Sequence, residues 1–186
     1  MNYRQFIRIF ASNQTDSRMQ ADDKKWYALY TAPRAEKKVS DRFTEAGIEH
    51  YLPLQTVKRR WSDRIKEIII PVVHGYIFVR IADTEFRNVL LVYGAIAFIR
   101  EFGKPVAIPD NQIQRLRFMC DFSDEPVEFV LEDLTKGETV TIIRGPLQGL
   151  VGELVRIKGK HKVVVRLEKF GYARTTIPIS FIEREK

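Results

Sequence analysis

The sequence predicts an α+β protein: a compact α/β sandwich, with helices packed on a mostly antiparallel sheet, followed by a small β-barrel. Three observations support this prediction. Up to about residue 120, β-type runs alternate with helical periods. Residues 121–133 carry six acidic side chains and no basic one. From residue 134 onward no helical period remains, and short β-rich runs follow at close spacing. We therefore predict a first domain at residues 24–120, an acidic linker at 121–133 and a second domain at 134–186.

The first 23 residues have no sustained apolar period and are polar from Ser12 to Asp23. We expect residues 1–23 to form a flexible tail, with a short element at Tyr3–Phe10. Arg8 interrupts the apolar residues of this region and no A-x-A-like site follows, so we expect no signal peptide. No apolar run approaches the roughly 20 residues of a membrane span, so we expect no membrane partner.

The longest β-branched and aromatic run is Ile68–Ile81, which predicts one strand before Pro71 and another after Gly75. Side chains of the second strand alternate between two faces, and both faces are apolar. A buried central strand is the simpler interpretation. A surface for a partner on one face is the alternative.

The elements on either side of this run follow in order. Trp26–Tyr30 is a predicted strand, and Thr31 is a possible cap for the helix that follows, with Pro33 in its first turn. The apolar face of that helix consists of Ala35, Val39, Phe43 and Ala46, at spacings of four, four and three. Gly47 ends it.

The stretch between the helix and the central run is basic. His50–Leu54 contains a proline and is predicted to be an edge strand, and residues 56–66 are predicted to be a protruding hairpin tip. Beyond the central run we expect a short helix capped by Asp83, a strand at Ala95–Ile99 and a helix capped by Asp110.

The second domain contains four β-rich runs in about 40 residues, which predict a small barrel. They are Glu138–Ile143, Val151–Lys158, His161–Leu167 and Ala173–Ile177. Turns separate them at 144–146, 159–160 and 170–171.

The residues that could perform chemistry form no recognisable constellation. None of the three histidines, His50, His74 and His161, has a neighbouring ligand at a metal-like spacing. Gly145, Gly149 and Gly152 are not followed by the Lys-Ser/Thr of a phosphate loop. We therefore predict no catalytic residue, no metal, no cofactor and no enzymatic activity. The single cysteine, Cys120, is compatible with a reducing cytoplasm.

The basic residues occur in two blocks. The formal net charge is +7; residues 1–120 carry 20 Lys or Arg and 13 Asp or Glu, and residues 134–186 carry 11 and five. Basic blocks favour a polyanionic partner, nucleic acid first. A solvated lysine-rich surface is the alternative, and charge alone does not decide between them.

Two motifs resemble a known family. Gly145, Pro146, Gly149 and Gly152, preceded by Gly137 and a β-rich run, resemble the KOW motif of a small SH3-like barrel. In the first unit, W-Y-A-L-Y, H-G-Y-I-F-V-R and G-K-P-V-A-I-P occur in the order of the NGN domain of the NusG family. Together the two resemblances cover about residues 24–186. One departure is His74, which stands where the family usually has proline before Gly75.

The resemblance implies a transcription elongation factor that does no covalent chemistry. The NGN domain would bind the clamp of RNA polymerase and favour forward elongation, and the KOW domain would bind Rho, a ribosomal protein or RNA. The sequence F-I-R-E-F-G-K-P-V-A-I-P looks more like the specialised RfaH and UpxY antitermination factors of capsule-type operons. A general housekeeping factor, or a KOW-containing ribosomal or RNA-binding protein, is the alternative.

Two groups of residues are candidates for the binding sites. Those for polymerase, suggested by the resemblance and by the role of aromatic residues in interfaces, are Trp26, Tyr27, Tyr30, Val72, Val73, His74, Tyr76 and Phe78. Those for non-template DNA or nascent RNA are Arg34, Lys37, Lys38, Lys58, Arg59, Arg60, Trp61 and Arg64. Core packing for the first group and solvated charge for the second are the alternatives.

Overall fold

The computed structural model describes residues 2–5, 24–61, 63–131, 134–157, 159–167 and 169–184. Most of the predicted tail, residues 6–23, lies outside the described residues. The predicted element at Tyr3–Phe10 is described only as a helical turn at residues 3–5. In this turn the Asn2 side chain accepts from the Gln5 N–H at 2.9 Å, and the Gln5 side chain accepts from the Asn2 N–H at 3.1 Å. These reciprocal bonds satisfy two N–H groups at the start of the turn.

The first unit interleaves strands with helices, as predicted. Its strands are β1 (Lys25–Thr31), β2 (His50–Tyr51), β3 (Leu54–Arg60), β4 (Ile65–Pro71), β5 (Tyr76–Ile81), β6 (Ala95–Phe98), β7 (Arg100–Glu101), β8 (Lys104–Pro105) and β9 (Ala107–Ile108). Its helices are α1 (Glu36–Glu45), α2 (Phe86–Leu90) and α3 (Asp110–Phe122), and a 3-10 turn at Asp83–Glu85 precedes α2.

The main sheet is antiparallel and has β1 and β5 at its centre. Its order is β2–β5–β1–β6, and β9 pairs with β1 beside β6. The central pairing runs from Lys25 opposite Ile81 to Tyr30 opposite Tyr76. The predicted central strand after Gly75 is therefore confirmed, and apolar residues on both its faces follow from cover on both sides.

Each face of the sheet has its own buried cluster. Leu29, Ile77 and Val79 pack with Val39 and Phe43 of α1. On the opposite face, Ala28 and Phe78 belong to a cluster with residues of α3 and of the C-terminal barrel. Alternation along β1 and β5 divides the residues between these two layers.

Two hairpins lie outside the main sheet. Strands β3 and β4 pair along their full length as a separate two-stranded sheet, which confirms the predicted hairpin. Strands β7 and β8 form a smaller hairpin, in which Phe102 has a φ of +48° and is 97% exposed. Neither of these hairpins has a third strand in the described part of the chain.

The C-terminal unit is a six-stranded antiparallel sheet in the described residues, with the order β10–β14–β13–β12–β11–β15. Its strands are β10 (Glu128–Val130), β11 (Glu138–Ile142), β12 (Val151–Ile157), β13 (Lys160–Leu167), β14 (Gly171–Thr176) and β15 (Ile182–Arg184). The four predicted runs correspond to β11–β14. The sequence reading missed β10 and β15, which have three residues each and are too short to show an alternating pattern.

The acidic segment 121–133 is not an irregular linker throughout. Its strand β10 pairs with β14, so this part of the segment joins the second unit. The Glu128 carboxylate accepts hydrogen bonds from Lys162 at 2.9 Å and from Arg174 at 2.8 Å. These two cations hold the pKa of Glu128 below its usual range. The acidic character of the segment thus helps to pair it with the basic barrel.

The barrel packs against the main sheet. Phe170 lies between β13 and β14, and its ring contacts Tyr76 at 5.0 Å and Phe78 at 5.6 Å between centroids, both edge to face. Polar contacts surround this aromatic contact: Lys169 bonds Glu101, and the hydroxyls of Ser123 and Thr175 lie 3.0 Å apart. The two units therefore share one buried apolar cluster.

The N-terminal turn bridges the same two units. The Tyr3 N–H donates to the Gln148 carbonyl of the barrel at 2.9 Å, and the Tyr3 ring meets Phe118 of α3 at 5.0 Å. A Cβ at Gly149 would lie 3.2 Å from Tyr3, so this close approach leaves little room for a side chain. Burial raises the pKa of the Tyr3 hydroxyl, in keeping with its place at the junction.

We predict that Phe170→Ala uncouples the barrel from the main sheet. Truncating a buried phenylalanine costs about 3–5 kcal/mol, and here the lost contacts join units that each have further apolar residues. Chemical denaturation followed by tryptophan fluorescence and by circular dichroism should change from one shared transition to two separate ones.

The matched control is Phe43→Ala, which removes a buried phenylalanine from the helix-covered face. This variant should lower the unfolding midpoint while the two probes still coincide. Coincident transitions in Phe170→Ala would contradict the proposed coupling.

Candidate functional site

The turn between β4 and β5 is held in place by helix α1. Gly75 has a φ of +79°, in the left-handed region that glycine adopts without strain. Its N–H donates to Glu36 Oε1 at 2.7 Å, and its carbonyl accepts from the Thr31 N–H at 2.8 Å. The bond to Gly75 gives the buried Glu36 carboxylate a partner. His74, the residue before this glycine, is exposed.

Beside this turn, a strip of apolar and aromatic side chains crosses three strands. Tyr30 lies opposite Tyr76 on β5 and opposite Ala97 on β6. The Tyr30 and Tyr76 rings are tilted, with centroids 5.3 Å apart. Tyr30 is 38% exposed, Tyr76 is half-buried and Ala97 is exposed. Burial, with a smaller effect of Tyr30, raises the pKa of the Tyr76 hydroxyl, so it remains a neutral hydrogen-bonding group at neutral pH.

The eight residues predicted to bind polymerase lie in different environments. Five are buried: Trp26, Tyr27, Val72, Val73 and Phe78. Three reach the surface: Tyr30, His74 and Tyr76. The structure thus brings together a smaller group around the turn, and the core alternative accounts for the exposure of the other five in this arrangement.

Tyr27 differs most from its expected position. It follows Trp26 on β1 and therefore faces the helices, where its hydroxyl donates to Asp83 Oδ1 at 2.8 Å. Its ring packs against Phe86 and Phe98. Grouping Tyr27 with Tyr30 and Tyr76 in one patch was wrong, because odd and even positions of a strand point to opposite faces.

The basic residues at the start of α1 have unequal freedom. Arg34 is exposed and has a φ of +59°, an uncommon backbone conformation for a residue other than glycine. Lys38 is exposed as well. Lys37 Nζ donates to the Ile69 carbonyl of β4 at 2.7 Å, so this lysine also fastens the β3–β4 hairpin to the helix.

The other basic candidates extend along the β3–β4 hairpin. Lys58, Arg59, Arg60, Trp61 and Arg64 are all exposed, and the Trp61 side of the hairpin end is closed by its N–H donating to the Arg64 carbonyl at 2.8 Å. Lys58 lies opposite Glu67, with 3.7 Å between Nζ and Oε1. Trp61 is 59% exposed. The hairpin therefore presents four cations and an indole to solvent.

The glycines of the KOW resemblance have structural roles in the barrel. Gly149 has a φ of +88° and its N–H donates to the Ile142 carbonyl at 2.6 Å, closing the turn before β12. A Cβ on Gly152 would lie 2.7 Å from the Val164 carbonyl oxygen, so only glycine fits there without a shift. Gly145 and Pro146, at the start of the same turn, are exposed.

Sequence reasoning missed Phe170 and Glu36. Phe170 was assigned only to a turn; its signal was a large aromatic residue where turns usually carry small polar ones. Glu36 was passed over among basic neighbours, although a lone acid in the first turn of a helix favours the helix dipole. The partner that each residue has in space was not visible in the sequence.

Comparisons with known proteins agree with this architecture. Residues 24–117 match the family model described as NusG, transcription termination factor. The transcription termination/antitermination protein NusG of Rickettsia bellii is 28% identical, over 91% of this chain and 94% of the relative. The protein of the same name from Rickettsia conorii is 24% identical, over 88% of this chain and 90% of the relative.

A solved structure has the same fold. The structure described as "Domain interaction in Thermotoga maritima NusG" superposes with a TM-score of 0.51 at 23% identity, over 89% of this chain and 99% of that one. The family model covers half of the chain, and its matched residues contain the main sheet, the turn at Gly75 and the β3–β4 hairpin. The chain belongs to the NusG family of transcription termination and antitermination factors.

Proposed function

We propose that this protein binds the clamp of RNA polymerase through the surface around Tyr30, His74 and Tyr76, and promotes processive elongation. The single observation that carries the proposal is the exposed Tyr30–Tyr76 pair at the end of the central strands. Aromatic side chains dominate binding energy in many interfaces, and a hydroxyl on each ring tolerates a wet rim. The factor would act in the cytoplasm and catalyse no reaction.

A rigid backbone supports this surface. Gly75 is bonded to both α1 and β1, and Tyr30 and Tyr76 lie on the two strands at the centre of the sheet. A preorganised surface loses little conformational entropy on binding. A ligand held on the polymerase clamp would favour the processive state in proportion to its greater affinity for that state.

The docked barrel covers part of the same face. Phe170 contacts Tyr76 directly, and it also covers Phe78, which would otherwise extend the aromatic surface. We infer that full engagement of polymerase moves the barrel aside and exposes Phe78. The released barrel would then bind its own partner, for which Rho, a ribosomal protein and RNA are the candidates.

The barrel keeps its β-structure while docked, in agreement with its sequence. Strand β13 contains three consecutive valines, Val163–Val165, and all three are buried. β-branched residues fit a pleated, buried strand. We therefore propose that release of the barrel changes its position and leaves its strands intact.

We further infer that the protein serves particular operons, of the capsule polysaccharide type. The local sequence around Phe98–Pro109 supports this reading. A general factor acting on all transcription is the second candidate, supported by relatives that match nearly the whole chain and are described as termination/antitermination proteins. In either case the exposed basic residues would contact phosphates of DNA or RNA near the polymerase.

We predict that Tyr76→Ala weakens binding to transcribing RNA polymerase at least about 10-fold, since truncated aromatic hot spots cost more than roughly 1.4 kcal/mol. Tyr30→Ala should have a similar effect. The measurement is capture of stalled elongation complexes on immobilised protein over a concentration series.

Phe102→Ala is the control, because it removes an exposed aromatic ring from a different hairpin. Its affinity should equal that of the unmodified protein, and all three variants should retain the same circular dichroism spectrum. Unchanged capture by folded Tyr30→Ala and Tyr76→Ala variants would exclude this surface.

We also predict that the protein reduces pausing and termination on one class of leader sequence only. Transcription of several unrelated templates by purified polymerase, with and without the protein, provides the measurement. Equal effects on every template would favour the general factor over the operon-specific one.

A further inference from the structure

The two faces of the β3–β4 hairpin differ in charge. Directly opposite residues of an antiparallel pair have side chains on the same face, and the next pair lies on the other face. Arg59 is opposite Lys66, whereas Lys58 is opposite Glu67 and Arg60 is opposite Ile65. The first face, extended past Arg59 to Trp61 and Arg64, is here named the cationic face. The second, with Lys58, Arg60, Ile65 and Glu67, is named the mixed face.

On the mixed face the charges are partly compensated. Lys58 and Glu67 form an ion pair at 3.7 Å, and Arg60 has an isoleucine across from it. Farther toward the base, Thr56 lies opposite Ile69, whose side chain is 54% exposed. This face combines neutralised charge with apolar area and offers little to a polyanion.

The cationic face has the opposite character. Arg59 and Lys66 are both exposed, and neither has a carboxylate within ion-pair distance among the described residues. Like charges directly across a strand pair destabilise the pair. Asp63 is the acidic neighbour of this face and contacts Arg64 at 3.9 Å. An arrangement that is unfavourable in the free protein becomes favourable when an anion lies between the two cations.

Trp61 adds a second, independent feature to the same face. It lies two positions beyond Arg59, and its N–H donates to the Arg64 carbonyl, which continues the pairing of the strands. Its indole is 59% exposed, although an apolar ring of this size gains free energy from burial. An exposed indole beside paired cations fits a ligand that has both phosphates and accessible aromatic rings. Unpaired nucleotides provide both, whereas the bases of a duplex are already stacked on one another.

We propose that the cationic face of the β3–β4 hairpin binds single-stranded nucleic acid, with Trp61 stacked on a base and Arg59, Lys66 and Arg64 on neighbouring phosphates. The proposal rests on the proposed function, because a transcribing polymerase exposes both a displaced DNA strand and a nascent RNA. It also narrows that function: Lys58 and Arg60, on the other face, are not part of the site.

The test is binding of the full chain to a fluorescein-labelled oligothymidine of about 16 nucleotides, followed by anisotropy. No polymerase is present, so failure here is distinct from failure of the polymerase surface. The double variant Arg59→Ala/Lys66→Ala should bind at least about 10-fold more weakly. The slope of log affinity against log salt should fall by about 1.4, since each single-strand phosphate contact contributes about 0.7.

The matched control is Lys58→Ala/Arg60→Ala, which removes the same two charges from the mixed face. We expect its affinity to stay within about 2-fold of the unmodified protein, because phosphate contacts depend on position as well as charge. Equal weakening of the two double variants would overturn the assignment to one face and leave only a general attraction to a basic protein.

The stacking step has its own readout. Trp61→Ala should weaken binding about 5- to 100-fold and Trp61→Phe much less, since alanine substitution of stacked aromatics has effects of this size. Oligonucleotide should quench the fluorescence of Trp61 and not that of the buried Trp26, so the quenching should disappear in Trp61→Phe. Full binding by Trp61→Ala would contradict stacking, and tighter binding to a duplex of the same length would overturn the single-strand assignment.

Folding of the variants is checked by thermal unfolding. All substituted side chains are exposed, so the midpoints should match that of the unmodified protein. Arg59→Ala/Lys66→Ala should unfold at the same or a slightly higher temperature, because the like-charge pair is removed. A markedly lower midpoint would contradict the view that these two cations repel each other in the free protein.

Discussion

The antiparallel pairing of β1 with β5 is the contact on which the rest of the structure depends. It fixes which residues face the helices and which face α3 and the barrel, because each pair across the two strands lies on one face. Leu29 and Ile77 lie in the helix-covered core, and Ala28 and Phe78 in the core shared with the barrel. At the end of the pairing, Tyr30 and Tyr76 are the pair that this cover leaves partly open.

The same sheet face stabilises the closed molecule and carries the proposed binding surface. Phe78 is fully buried under Phe170, while Tyr30 remains accessible. Contacts such as the Ser123–Thr175 and Tyr3–Gln148 hydrogen bonds are of the exposed or half-buried kind that typically contribute about 0.5–1.5 kcal/mol each. An interface built from one aromatic insertion and a few such bonds is suited to opening when a stronger partner competes for the aromatic residues.

Most of the fold could be predicted from the sequence, because its strands have strong β-branched and aromatic runs and its helices a clear apolar period. The two hairpins and the four long barrel strands were found for this reason. The helix starts were less accurate. Thr31 was expected to cap α1, but it is paired within β1, and Ala35 precedes the helix. Propensity indicates that a helix begins nearby, whereas tertiary pairing decides the residue.

The site was predicted only in part, and for a different physical reason. Residue type identified the aromatic and basic candidates, but exposure depends on where covering elements end. Trp26 and Tyr30 lie on the same face of one strand, yet only Tyr30 extends past the cover. The contrast between Arg59 and Lys58 likewise depends on strand register, which places one opposite a lysine and the other opposite a glutamate. Neither difference exists within a single stretch of sequence.

Helix α1 contacts both candidate surfaces through two consecutive residues. Glu36 bonds the backbone at Gly75, and Lys37 bonds the backbone at Ile69. The turn beside Tyr76 and the base of the β3–β4 hairpin are therefore held at a constant separation by one rigid helical turn. A factor seated on polymerase would then carry its hairpin to a set position along the transcribed template, like a caliper with a locked opening. The nucleotides within its reach would be chosen by their distance from the site of synthesis before their identity is read.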